Sequence, residues 1–273
     1  MNTATRRIAI LVTIAAIGGA VYWLATHRTK LESSTTVRNS RYTIDVEVGD
    51  TSITTNDNVR LTFTVRNEGK IADIYSENRV VHYVIASENY QDFFHTFAPE
   101  VKTPGVFYID HTFTQPGRYR IWTELVDTKK GKDLHHNQNA EVVSYVDLTV
   151  TGRATQALAP ITQKTAEVGP YRVNYQAEGL TAGQPTTLTV HASNSAGQTL
   201  PVFTDEPAIY VIVGPNLSYM SHSHTKPALP NNRISITETL PTAGNYLFWT
   251  EVYAQEGDHY AALQVPFLLK VEP

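Results

Sequence analysis

The stretch "QPGRYRIWTELV", residues 115–126, returns as "TAGNYLFWTEVY", residues 242–253. The offset is 127 residues, and "VHYVIASEN" (81–89) meets "AIYVIVGPN" (208–216) at the same offset with no gap. Between Tyr83 and Glu124, 12 of 42 positions are identical at that spacing, and Trp122/Trp249 and Glu124/Glu251 fall in register. A shared bias toward β-forming residues would not align single rare side chains, so the chain carries an internal duplication. Within the repeated stretch Tyr119, Ile121 and Thr123 alternate with Arg120, Trp122 and Glu124. That is the two-residue period of a strand, with one set facing a core and the other facing out or toward a neighbour.

The same pattern runs outward in both directions. "RYTIDVEV", "VRLTFTV", "VFYIDHTFT" and "SYVDLTV" are short runs rich in Val, Ile, Thr and Tyr, punctuated by Gly, Asn, Asp and Pro. No long stretch has the 3.6-residue apolar period of a helix. Each copy has the length and about seven short strands of an immunoglobulin-like sandwich. "PGRY" and "AGNY" read as turns feeding tyrosine corners at Tyr119 and Tyr246. The expected organisation is all-β: immunoglobulin-like β-sandwich domains at 41–151 and 170–273, joined by a linker at 152–169 that contains Pro160.

Before them, residues 8–25 form an uncharged apolar run. Eighteen residues at helical rise give ~27 Å, enough for a bilayer core. Arg6 and Arg7 precede the run, and Tyr22 and Trp23 suit the outer interface. The expectation is one transmembrane anchor, with residues 1–7 cytoplasmic and 26–40 a polar tether. The alternative is a signal peptide cleaved near "GGA" (18–20). Either way the bulk of the chain lies outside the cytoplasm.

Composition narrows the function. Net charge is −4, with no basic footprint for nucleic acid. There is no cysteine, which excludes disulfides, thiol nucleophiles, a Cys-ligated blue-copper centre and Cys-type zinc sites. No nucleophile elbow and no Gly-rich phosphate loop occurs. The expectation is a binding protein rather than an enzyme.

The candidate ligands are histidines. In "YMSHSHTKP", Met220, His222 and His224 share one face of an extended segment, ~6.5–7 Å apart from one to the next. A thioether beside two imidazoles suits copper better than magnesium or calcium. In the first copy these positions hold Phe93, His95 and Phe97, so one histidine is common to both copies and the others can equally be packing residues. His82 offers a second partner for His95, where the second copy has Ile209. Glu124 and Glu251, each two residues after the shared tryptophan, are candidate carboxylate partners for the shared histidine, and His259 is a candidate extra ligand on a hairpin. His135 and His136, adjacent in a polar loop, read as solvated.

"VHYVIAS", "FFHTFAP" and "PGRYRIW" in the first copy, with "YMSHSHTKP" and "AGNYLFW" in the second, resemble a bacterial secreted sandwich family. It looks like the copper-resistance and YtkA-like proteins of the cell envelope. The resemblance implies an immunoglobulin-like fold and a link to copper or other metal handling. The first copy departs from the family's H-x-H at Phe97, and the second lacks the leading histidine at Ile209. Two functions follow as expectations: a membrane-anchored metal-binding module, and a structural or interaction protein of the envelope that presents its sandwiches to another envelope protein.

Overall fold

The computed structural model describes residues 29–31, 34–37, 42–49, 52–74, 81–98, 103–126, 140–225 and 231–273. The apolar run at 8–25, the segment 1–7 and His135 and His136 lie outside the described residues. The described residues form strands, with one short 3-10 turn at Pro215–Leu217.

The first copy contributes β1 (Thr29–Leu31), β2 (Ser34–Val37), β3 (Tyr42–Val48), β4 (Ile53–Thr54), β5 (Asn58–Asn67), β6 (Lys70–Ile71), β7 (Val81–Ser87), β8 (Phe93–Phe97), β9 (Val106–Thr112), β10 (Gly117–Val126) and β11 (Ala140–Thr151). One sheet runs β1-β3-β5-β6 with β9 also on β5; the other runs β2-β11-β10-β7-β8, with β4 parallel to β11. Phe63 and Phe107 from the first sheet close on Tyr83 and Ile121 from the second, and all four are fully buried. The Phe63 and Tyr83 rings lie 4.3 Å apart.

The second copy contributes β12 (Thr165–Val168), β13 (Tyr171–Ala177), β14 (Pro185–Asn194), β15 (Ala208–Val213), β16 (Met220–His224), β17 (Ile234–Thr239), β18 (Gly244–Glu256) and β19 (His259–Val271). Its sheets run β12-β13-β14-β17 and β16-β15-β18-β19. Val173, Val190 and Ile236 pack against Tyr210, Phe248 and Phe267 between them.

Two expected connections are more ordered than their composition suggests. Strands β1 and β2 fall inside the expected tether, where β1 pairs with β3 and β2 with β11. Their Thr- and Ser-rich sequence is compatible with an edge strand, where ladder hydrogen bonds outweigh the lack of apolar content. Strand β12 falls inside the expected linker. It pairs with β13 and buries Ala166 in the second core. The rest of the linker is stitched to both copies: Thr155 N–H donates to Thr114, Leu158 N–H to Gln91, and Ile161 N–H to Pro266. The tyrosine corners form as expected. Tyr119 Oη donates to the Gln115 carbonyl at 2.9 Å, and Tyr246 Oη to the Thr242 carbonyl at 2.8 Å.

Strands β7 and β15 are buried along their whole length. Their second faces, with those of β10 and β18, form a third apolar cluster between the copies. It holds Val84, Ala86 and Trp122 from one copy and Val211, Val213 and Trp249 from the other. At ~1.5–3 kcal/mol for each fully buried aliphatic side chain, this seam contributes substantially to holding the copies together.

The seam has approximate two-fold symmetry. Tyr90 Oη donates to the carbonyl of Asn245, while Arg118 and Arg120 donate to the carbonyls of Asn216 and Leu217. At the 127-residue offset, Tyr90 corresponds to Leu217 and Asn245 to Arg118, so equivalent turns and strand starts meet on the two sides of the seam, through different donors. Tyr90 (φ 59°) and Leu217 (φ 58°) both adopt the left-handed region that non-glycine residues seldom occupy, and both are buried in the seam.

A candidate metal centre in the seam

Position 95 and its equivalent, 222, sit opposite Val84 and Val211 on the paired strands. Their imidazoles meet across the seam with ring centres 4.6 Å apart. They are each other's equivalents, as side chains beside a two-fold axis must be. The histidine common to both copies is therefore the one at the axis.

Off the axis the copies differ. On β7 and β8, His82 stands across from Phe97; on β15 and β16, Ile209 stands across from His224. His82 reaches over the seam to His222, with Nδ1 atoms 3.3 Å apart and ring centres 4.8 Å apart. His82, His95 and His222 form one group whose ligand atoms all lie within 4.8 Å of one another. His224 flanks it, 5.3 Å from His222 and 5.6 Å from His82, ring centre to ring centre.

Two carboxylates orient these rings. His222 Nδ1 lies 2.6 Å from Oε2 of Glu124, and both side chains are 2% exposed. The carboxylate accepts from Nδ1–H, which fixes the proton there and leaves Nε2 as the lone-pair nitrogen. Glu206 does the same to His224 Nδ1. The Nε2 atoms of His95, His222 and His224 are buried without a hydrogen-bond partner. Three orphaned nitrogens gathered in one cluster offer a place for a ligand, whereas the other buried unpartnered side-chain atoms among the described residues, such as Tyr83 Oη and His191 Nδ1, are scattered. Burial holds His82 and His95 well below the ordinary imidazole range, reinforced by neighbouring histidines, and pushes His222 down to about 3. That direction favours the neutral form of His82, His95 and His222, the form that binds metal.

The expected site residues divide accordingly. The structure brings together His82, His95, His222 and His224. Met220 lies on the same strand as His222 and packs against the apolar part of the seam. Glu251 does not join the cluster; it accepts a hydrogen bond from Gln264 at 2.6 Å and stands across from Ile209 rather than a histidine. His259 is exposed at the start of β19, opposite Glu256. The carboxylate that holds the shared histidine is Glu124, and it comes from the other copy. Glu206 was not foreseen, since nothing in "TDEPA" marks it as a partner of a residue 18 positions on.

Residues 35–151 match a domain family described as a domain of unknown function (DUF8832). No curated protein matches the chain. Solved structures similar to it include the Escherichia coli adhesin FdeC, at 14% identity over 87% of this chain and 66% of that one, TM-score 0.27. A DUF4785 family protein of Legionella pneumophila matches at 10% identity over 86% of this chain and 57% of that one, TM-score 0.30. A chain titled pT26-6p matches at 12% identity over 96% and 68%, TM-score 0.25.

Proposed function

We propose that this is a membrane-anchored, extracytoplasmic metal-binding protein whose ion sits in the seam between two immunoglobulin-like sandwiches. The observation that carries the reading is the buried His82/His95/His222 group, drawn from both copies, with the Nε2 atoms of His95 and His222 unpartnered and a carboxylate behind His222. The apolar run at 8–25 behind Arg6 and Arg7 supports the anchor. The resemblance to copper-resistance and YtkA-like domains supports metal handling, and the lack of a nucleophile elbow supports binding rather than catalysis.

Copper(II) suits the group best. An all-imidazole set selects late first-row ions, and Cu²⁺ binds tightest among the divalent ones. A metal–nitrogen length of ~2.0–2.1 Å puts ligating ring centres about 3.2 Å from the ion, so adjacent rings are about 4.5 Å apart and opposite rings about 6.4 Å. The observed spacings are 4.6 Å for His95–His222, 4.8 Å for His82–His222 and 6.3 Å for His82–His95. That pattern matches three corners of a tetragonal site, the arrangement Cu²⁺ prefers.

The test is Cu²⁺ titration of the purified chain followed by tryptophan fluorescence, since Trp249 packs 5.4 Å from His95. Quenching should saturate at one ion per chain and vanish in His82→Ala and in His222→Ala. Equal, weak binding by the parent and both variants would return the seam to a purely structural role and favour the envelope interaction protein.

A further inference from the structure

We infer that Phe97 closes the fourth corner of the centre, so that the ion is held by His82, His95 and His222 and shut off from water and small anions. This rests on the metal reading above and specifies what the site does with its ion: it retains the ion rather than presenting it to a substrate.

The layout of the strands sets up the closure. His95 and Phe97 are two apart on β8, and His82 stands across from Phe97 on β7, so all three share one face of the first copy, the one that Phe97 packs into the seam. His222 meets them from the second copy. His82 and His95 are the opposite corners of the set, with ring centres 6.3 Å apart, so an ion shared by both sits near their midpoint.

Phe97 crowds that same point. Its ring centre lies 4.5 Å from that of His82 and 5.6 Å from that of His95. With the 6.3 Å between the histidines these distances form a triangle, and its median puts the Phe97 ring centre about 4.0 Å from the midpoint. The same construction puts the His222 ring centre about 3.5 Å from it, near the ~3.2 Å of a ligating imidazole. Phe97 and His222 come from opposite copies, so the phenyl ring stands across the ion from His222, at the corner the three imidazoles leave. A ligand atom ~2 Å from the ion on that side would lie about 2 Å from the ring centre, well inside the ~3.5–4.0 Å at which non-bonded carbon atoms meet. Val84, fully buried across from His95, is the fourth side chain of this patch and makes its floor apolar as well.

The repeat supplies a mild variant. Position 97 corresponds to His224, so the equivalent strand pair already accommodates an imidazole there, and Phe97→His adds a nitrogen where the phenyl now stands. Phe97→Ala removes the ring, and because Phe97 is only half-buried the emptied corner opens to solvent.

The probe is azide added to the Cu²⁺-loaded full chain and read by its charge-transfer absorption. The parent should hold one Cu²⁺ and show no azide band. Phe97→Ala should keep its copper and gain a saturable band. Phe97→His should stay silent to azide and show one more imidazole than the parent in pulsed paramagnetic resonance. Its Cu²⁺ affinity should rise about 10- to 100-fold, no less than the effect of an outer partner. A parent that takes azide as readily as Phe97→Ala overturns the closure and leaves the three-histidine reading standing. A copper-loaded Phe97→Ala that ignores azide overturns it too. If Phe97→Ala does not fold, Phe97→His decides: the parent's nitrogen count and affinity in that variant defeat the inference. A parent that binds no Cu²⁺ overturns the metal reading and the closure together.

Discussion

The two halves of the seam are copies, yet they make different contributions to its centre. Val84 and Val211, Trp122 and Trp249, and His95 and His222 keep the same residue type and the same place. His82 faces Phe97 in the first half, whereas His224 faces Ile209 in the second. Each half therefore carries two seam histidines and one apolar wall, with the pair reversed. Neither sandwich gathers three of these histidines on its own; docking brings His82, His95 and His222 together. The lesson is that side chains scattered over two repeats can meet in the space between them.

The sharpest way to break the equivalence is at the tryptophans. Trp122→Ala and Trp249→Ala should each cost about 3–5 kcal/mol in denaturant unfolding. Only Trp249→Ala should also weaken copper binding, because Trp249 packs on Phe93 and His95. Equal effects of both on copper would mean the centre depends on docking alone and not on the local wall.

Acid comes next. Burial lowers the proton affinity of His82, His95 and His222, the last to about 3. The unfolded chain takes up these protons below about pH 6.5, the native chain only much lower. Native stability of the chelator-treated protein is therefore complete above about pH 6.5 and falls as pH drops toward about 3, by up to about 1.4 kcal/mol per pH unit per histidine. His82→Ile, which makes the first copy like the second, should flatten that slope by one proton in urea titrations at stepped pH.

The paired glutamates give a smaller and cleaner contrast. Glu124→Ala should lower copper affinity about 10- to 100-fold by freeing the His222 ring, while Glu251→Ala should leave it unchanged. Smallest is the pair of tyrosine corners. Tyr119 Oη also bonds the buried Asp92 at 2.7 Å, a contact the second copy lacks, since Tyr219 stands at that position. Tyr119→Phe should destabilise more than Tyr246→Phe, by about 1–3 kcal/mol against about 1 in thermal melts.

Much of the fold was legible because the repeat holds its register without a gap across its most diagnostic strands. The sequence also carried a signal for the seam. "VHYVIAS" and "AIYVIV" are apolar on both faces apart from His82 and Ser87, and a strand apolar on both faces is covered on both sides. Which surface covers it is a tertiary fact that alternation cannot supply. Glu124 and Glu251 were indistinguishable for the same reason: they share a register, and only the partner across the seam separates them. His82 looked like a lone core histidine because its three imidazole neighbours are 13 or more positions away in the chain. The short strands β1, β2 and β12 inside the expected tether and linker were not legible from composition, because Ser, Thr and Glu serve an edge strand as well as a loop.

The two-fold arrangement has a consequence for how such a centre arises. Two free copies of one sandwich docked in this way would be a homodimer, and any substitution off the axis would appear twice. Position 82 could not be histidine on one side and isoleucine on the other. Fusing the copies into one polypeptide lifts that restriction, so an ancestral pair of identical half-sites can evolve into a single lopsided one. The stitched connection from Thr155 to Ile161 is what makes the asymmetry heritable.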